Sequence, residues 1–344
     1  MVRVSRGLPH LIILCFFSIL VCACSDIVGV PQGTWDLFTE ADGLVCNDVH
    51  GVAVDGKGNV WFATLKGVSI LSSDGGWTHY RAGDGLGVDR TVDVLVDQKD
   101  RVWVATTGGG LRRFDGVSWE AFHVGNSNLP DNYIIELAED RKGNIWVLSS
   151  HGLSAVYPDD KIVYVGSPFP LSSYRPIFHS LAIDTEGHIW IGTMDTAALA
   201  EYDPEENRWL WIGYIAEHVE IPLRHSSGVN LWDIAIDQQN RLWIAANTIV
   251  EVEGDHWRIH QPDYTPLSVS VTPDGYKWFS TSAGALLLLS PDNAQWWRYD
   301  PPWRLPPFIN SGWTGSSVND MAWDSLGRLW FATEDGAVLF TPRR

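Results

Sequence analysis

Apolar residues in this chain fall into short runs separated by clusters of Gly, Asp, Asn and Ser, a pattern that reads as many short strands. One phrase recurs seven times between residues 55 and 330: a turn residue, a few polar positions, then tryptophan opening an apolar run. The clearest copy is Asp55-Gly-Lys-Gly-Asn-Val-Trp61-Phe-Ala-Thr64, and the others centre on Trp103, Trp146, Trp190, Trp243, Trp278 and Trp330. Their spacings of 42, 43, 44, 53, 35 and 52 residues lie in the range of a four-stranded propeller blade.

Each copy resolves into strands. An apolar stretch such as Val49-His-Gly-Val-Ala-Val54 or Leu231-Trp-Asp-Ile-Ala-Ile236 predicts strand a. An Asp-x-x-Gly turn follows at Asp55/Gly58, Asp140/Gly143, Asp184/Gly187 and Asp324/Gly327, where Asp caps the turn and Gly accepts positive φ. Asp100 and Asn240 take the Gly position in two further copies, and both residue types tolerate the left-handed region. The Trp run is strand b. A glycine six residues beyond the Trp (Gly67, Gly109, Gly152, Gly284, Gly336) marks the b–c turn, and a short strand c follows.

Strand d opens with a second tryptophan: Trp77, Trp119, Trp209, Trp257 and Trp296, with the weaker Ile162-Val-Tyr-Val165 between Trp119 and Trp209. The last a–b–c unit ends at Phe340 with no strand d after it, whereas Gly33-Thr-Trp35-Asp-Leu-Phe38 is a strand d with no a–b–c unit before it. The count balances if the N-terminal strand completes the final blade. The expected fold is therefore all-β, a seven-bladed β-propeller over 33–344 closed by that strand, which removes exposed sheet edges. An open solenoid is the alternative, and it would need capping repeats.

The pattern Asn47-x-Val49-x-x-Val52-x-x-Asp55-x-x-Gly58-x-Val-Trp61-Phe-Ala-Thr64-x-x-Gly67-Val, preceded by Asp42-Gly-Leu44, resembles the two-component regulator propeller repeat. Copy three, from Asn132 through Trp146 to Leu153, matches it too, while copies five and six are degenerate. The resemblance implies an extracytoplasmic sensor propeller of the kind joined to membrane histidine kinases, often with carbohydrate-derived signals. No kinase core or DNA-binding domain is visible after this propeller, so the resemblance implies a fold and a binding role without its own output.

At the N-terminus, Arg3 and Arg6 precede an apolar stretch from Leu8 to Cys22, of signal-peptide length. It ends in Val21-Cys22-Ala23-Cys24, which resembles a bacterial lipobox with Cys24 as the acylated residue. The expected organisation is a lipoprotein signal peptide at 1–23, a short linker at 24–32 and an exported propeller anchored in the cell envelope, at the outer membrane or cell surface. An ordinary signal peptide and an uncleaved anchor are the alternatives.

Charge narrows the partners. Removing residues 1–23 takes away two arginines and no acid, leaving 22 basic against 42 acidic residues, a net charge of −20. That balance argues against nucleic acid, whose phosphates need a basic face. Three of the four cysteines lie in the export signal, so Cys46 alone remains and no internal disulfide forms. Most of the 19 tryptophans are expected in blade interfaces.

Two sites suggest themselves. The tight a–b turns look structural, whereas the d–a loops vary, and long loops on a regular scaffold carry binding. The loop from Gly213 to Gly228 holds Glu217, His218, Glu220, Arg224 and His225; the loop from Asp300 to Ser317 holds Trp303, Phe308 and Trp313, aromatics suited to stacking on sugar rings, packing a peptide or capping blade ends. The second candidate lies four residues before each turn, where the copies read Gly51, Asp93, Glu136, Ser180, Asp233, Ser268 and Asp320. Alternation by two points these into the central channel together with the small residues two positions on. Asp93, Glu136, Asp233 and Asp320 there suit a cation such as Ca²⁺ or a polyol's hydroxyls; a plain water-filled channel is the alternative.

Catalytic motifs are weak: no Gly-x-Ser-x-Gly, no His-Glu-x-x-His and no phosphate-cradling loop occurs. Streptogramin lyases are similar in being seven-bladed propellers that use His and Glu around a metal, which draws attention to His50, His179 and His151. His50 and His179 fall on copies one and four, across the channel. The leading expectation is a ligand-binding or sensory propeller for a small molecule or carbohydrate that acts through a membrane signalling partner. A scaffold docking another envelope protein, and a propeller lyase or hydrolase, are the alternatives.

Overall fold

In the computed structural model, which describes residues 33–168, 176–220, 229–299 and 318–343, the described strands form seven four-stranded antiparallel sheets. Six are built from consecutive strands a to d, as in blade one: Val49–Val54, Val60–Thr64, Gly67–Leu71 and Trp77–Tyr80. Blade seven takes Val318–Trp323, Leu329–Thr333 and Gly336–Pro342 from the C-terminal end, and its outer strand is Gly33–Phe38. That strand pairs in register from Gly33 opposite Pro342 to Phe38 opposite Ala337. Strand a of each blade packs against strand a of the next, and that of blade seven against blade one, so the ring is closed.

The repeated phrase folds as it does because one carboxylate serves several donors at once. In blade three, Asp140 Oδ1 accepts the backbone N–H of Lys142 and Asn144, while Oδ2 accepts Trp146 Nε1 at 2.9 Å. The same Asp-to-indole bond joins Asp55 to Trp61, Asp97 to Trp103, Asp184 to Trp190, Asp237 to Trp243 and Asp324 to Trp330. The fourth turn position has positive φ throughout, at Gly58, Asp100, Gly143, Gly187, Asn240, Gly275 and Gly327. Turn closure and side-chain orientation are thus one event: the Asp that caps the a–b turn also fixes the indole that will fill the blade interface.

Seven apolar clusters correspond to seven blade interfaces, each with a strand-b Trp packed on the following blade. Trp61 packs with Val94, Val104 and Phe114 of blade two, and Trp330 with Val49, Val52 and Phe62 of blade one. Trp103, Trp146, Trp243, Trp278 and Trp330 are at most 2% exposed, so their large apolar area is almost wholly withdrawn from water.

The b–c glycine is required by its neighbour across the sheet. A Cβ on Gly67, Gly152 or Gly336 would lie within 2.4 Å of a strand-d carbonyl oxygen, and all three have positive φ. In blade two the expected residue is displaced by one: Gly110, not Gly109, opens strand c and approaches the Phe122 carbonyl. The b–c loop there is one residue longer.

Two outcomes test this account of stability. Asp140→Ala would leave the Trp146 indole N–H and two turn amides without their acceptor, so it should cost about 2–4 kcal/mol in denaturant unfolding; an effect below about 0.5 kcal/mol would show that the lock is dispensable. In the closing strand, Trp35 packs on Phe331 and Phe340. Trp35→Ala should cost about 3 kcal/mol, the low end for buried Trp because this ring is half-buried, and deletion of 33–38 should cost more; a deletion variant melting with the parent would remove the strand from the stabilising framework.

Candidate functional site in the central channel

The innermost strand of each blade pairs on one side only, so its other edge turns backbone N–H groups toward the channel. Burying such groups without acceptors is costly. All seven strands a carry a register shift near their start, for example between Val49 and Gly51 and between Leu231 and Asp233. A bulge of this kind re-aims a side chain, and the seven inserted positions (His50, Val92, Ile135, His179, Trp232, Leu267 and Asn319) all line a channel of about 1240 Å³.

Directly after the bulge sit the four candidate acids, and their oxygens are engaged. Asp320 Oδ2 accepts Val52 N across the blade seven–one junction at 2.8 Å. Asp93 Oδ2 accepts Leu137 N at 2.8 Å, Glu136 Oε2 accepts Leu181 N at 2.6 Å and Asp233 Oδ2 accepts Val269 N at 2.8 Å. Ser180 fills the same role for Ile234 N, and its hydroxyl donates to Asp233 Oδ1. The two remaining inner-edge amides, Val94 N and Met321 N, are taken by the second oxygens of Asp93 and Asp320. Every one of the seven equivalent N–H groups therefore has a side-chain acceptor, five of them from the preceding blade.

The same placement strains ionisation. Burial pushes Asp93 and Asp233 up to about 7 and Asp320 up to about 6, and it raises Glu136 well above the usual carboxylate range. Mutual repulsion adds to this, from Asp320 on Asp93 and from Asp233 and Asp93 on Glu136, while the donated N–H groups pull the other way. Surface exposure and enclosure differ for these side chains: each keeps an intermediate exposure through the open channel although protein encloses it elsewhere. The upward direction stands on burial first, with repulsion added for Asp93, Glu136 and Asp233.

Around the acids the channel carries Asn230, Asn247, Thr265, Ser282, Asn319 and Glu334 on its loop side. No Lys or Arg occurs among the described lining residues. His50 Nε2 lies 3.1 Å from Asp48 Oδ1 but outside hydrogen-bond geometry. His179 is enclosed, and burial holds its imidazole below the usual histidine range. His179 and Trp232 meet edge to face, with centroids 6.1 Å apart.

The other expected residues are dispersed. His151 sits on the b–c loop of blade three, where Nδ1 bonds Asp131 Oδ2 at 2.8 Å, and it does not line the channel. Glu217 and His218 belong to a short helix, Ile215–His218, after strand d of blade four, and the His218 ring stacks flat on Trp257 at 4.3 Å. Cys24, Arg224, His225, Trp303, Phe308 and Trp313 lie outside the described residues. No group of three or more His, Cys, Asp or Glu among the described residues is arranged to hold a metal. Trp232 and the polar rim were not anticipated. The available signal was register: Trp232 holds the strand-a position just before the candidate acid, where no other copy has a tryptophan.

The raised carboxylates have a consequence for stability. A group near 3.8 unfolded and near 7 folded binds more protons in the folded state between those values, so its contribution is present at low pH and is lost as pH rises through the folded value. The contribution of these groups to the melting temperature should therefore fall as pH rises from about 4 to about 7 and level off above that, the upper end of the fall lying above the lowered His79 and His179. In Asp93→Asn/Asp233→Asn that slope should flatten; an unchanged slope would assign the titration elsewhere.

Three stretches, 128–151, 171–195 and 312–335, match the two component regulator propeller family model. They fall on copies three, four and seven; copy one, whose pattern carried the resemblance, is not among them. No curated protein matches the chain. Solved structures share its fold at low identity. The extracellular domain of a hybrid two component system from B. thetaiotaomicron matches with a TM-score of 0.71 and 18% identity, over 90% of this chain and 41% of that one. This chain thus spans less than half of that relative. Virginiamycin B lyase from Staphylococcus aureus matches with a TM-score of 0.68 and 17% identity, over 91% of this chain and 99% of that one. PorZ, a bacterial surface component of the type-IX secretion system of Porphyromonas gingivalis, matches with a TM-score of 0.63 and 17% identity, over 87% of this chain and 47% of that one. Three of the seven blades thus carry the two component regulator propeller repeat, within a closed ring whose seven sheets share one architecture.

Proposed function

We propose that this protein is an exported, lipid-anchored binding propeller that takes a small molecule or carbohydrate at the loop-side mouth of its channel and passes the signal to a membrane or envelope partner. The observation that carries the reading is the asymmetry of the two faces. The turn face is made of interlocked tight turns, with Gly56 N bonded to Asp100, Gln98 N to Glu139 and Thr185 N to Asn240 from blade to blade. The loop face opens into a channel rimmed by amides, hydroxyls, Trp232 and two histidines. Convergent polar groups beside an aromatic in a concavity are the usual make-up of a small-molecule site.

The entry of the closing strand supports an orientation. Gly33 pairs with Pro342, at the end of strand c that leads into the c–d turn, so the chain enters blade seven on the tight-turn face. A tether from acylated Cys24 through the linker 24–32 spans at most about 30 Å. It would hold that face toward the bilayer and leave the channel mouth facing outward. The fold shared with a sensor's extracellular domain and with a secretion-system surface component fits an exported role.

Cys24→Ala should move the protein from the membrane to the soluble or secreted fraction; retention of the variant in membranes would refute the lipid anchor. Binding at the mouth is checked with Trp232→Ala, which should abolish a saturable melting-temperature increase produced by a ligand of the wild type.

A further inference from the structure

Resting on the binding role proposed above, we infer that the loop-side mouth of the channel selects a ring compound with a hydrocarbon body and no negative charge, seated in an apolar crescent built by Val92, Ile135, Trp232 and Leu267. These are four of the seven residues that the strand-a bulges bring to the channel wall. Each is half-buried although it sits in an innermost strand. Each also lies one residue nearer the d–a loops than the acid or serine that follows it, so the crescent stands at the mouth, above the carboxylates.

The crescent is continuous around the ring. Blades two to six follow one another through their strands a, and the position in blade four, between Ile135 and Trp232, is filled by His179. Burial holds the His179 imidazole below its usual range, so the ring is uncharged at neutral pH, and it meets Trp232 edge to face. His50 and Asn319, on the adjacent blades one and seven, break the crescent with polar side chains. The mouth is thus lined by uncharged hydrocarbon and ring surface over five consecutive blades and by polar groups over two. A guest with one hydrocarbon edge and one polar edge matches that division.

Two features choose the class. Val92, Ile135 and Leu267 offer contact but no hydrogen bond. Sugar hydroxyls laid against them would lose water without compensation, whereas hydrocarbon gains by leaving water. The carboxylates below are already engaged with the backbone, where Asp93, Glu136 and Asp233 accept Leu137 N, Leu181 N and Val269 N. They nevertheless set the field of the channel. No Lys or Arg among the described lining residues offsets them, so an anionic guest is repelled.

Two dyes that share an anilinonaphthalene body separate these effects: N-phenyl-naphthylamine is uncharged, and anilinonaphthalene sulfonate adds an anion. Each is titrated into the purified protein and followed by the fluorescence it gains on leaving water. Saturable binding of the uncharged dye is expected, weakened about tenfold by Ile135→Ser and by Leu267→Ser. The sulfonate should bind at least about tenfold more weakly, with the gap closing as salt is added. Both serine variants change half-buried side chains on the channel wall and leave the blade interfaces intact. Leu210→Ser, on the exposed outer strand Arg208–Tyr214 of blade four, should leave dye binding unchanged. Absence of saturable binding by the uncharged dye, equal binding of the sulfonate, or binding that Leu210→Ser weakens and both channel variants spare overturns the inference. Maltotriose binding weakened by Trp232→Ala, in a protein that takes up neither dye, would overturn the hydrocarbon body while leaving the channel site proposed above intact.

Discussion

A propeller's innermost strands have nothing to pair with on their channel side, and the disposal of those backbone N–H groups organises the centre of this molecule. Seven equivalent amides, from Val52 round to Met321, each find a carboxylate or hydroxyl, and five of those acceptors reach across a blade junction. The acids are thus stitches between blades before they are anything else. Their number follows from a simple economy: Asp93, Asp233 and Asp320 each present two oxygens to two amides, one in their own strand and one in the next.

This arrangement has an electrostatic by-product. Acceptors strong enough to replace a missing strand bring negative charge into a confined space, where burial and mutual repulsion raise the cost of keeping it ionised. The channel is consequently primed for a proton, which relieves that cost, and unfavourable to an anion. Structural need and electrostatic character reside in the same side chains, so a variant that removes charge while preserving an acceptor separates them better than truncation does.

Much of the architecture was legible because its causes are local and repeated. The Asp that caps each a–b turn also holds the indole of Trp61, Trp103, Trp146 and their equivalents, so turn residue and core residue recur at a fixed separation of six. Closure was legible through strand counting, since Gly33–Phe38 completes a sheet that would otherwise have three strands. The inward placement of Asp93, Glu136, Asp233 and Asp320 was legible too. The bulge was not, because an inserted residue in an apolar run leaves alternation looking intact on either side. Its consequence, the channel-facing row from His50 to Asn319, therefore emerged only from the register. Gly110 replaced Gly109 for a similar reason: a one-residue loop extension has no signature in composition.

The central claim is that side-chain carboxylates take the place of a missing strand along the channel, and amide hydrogen exchange measures this directly. Leu137, Leu181, Val269 and Val52 should exchange at rates comparable to the paired amides of strand b, despite lying on an unpaired edge beside an open channel. Exchange of these four at the rate of solvent-exposed, unbonded amides would contradict the account.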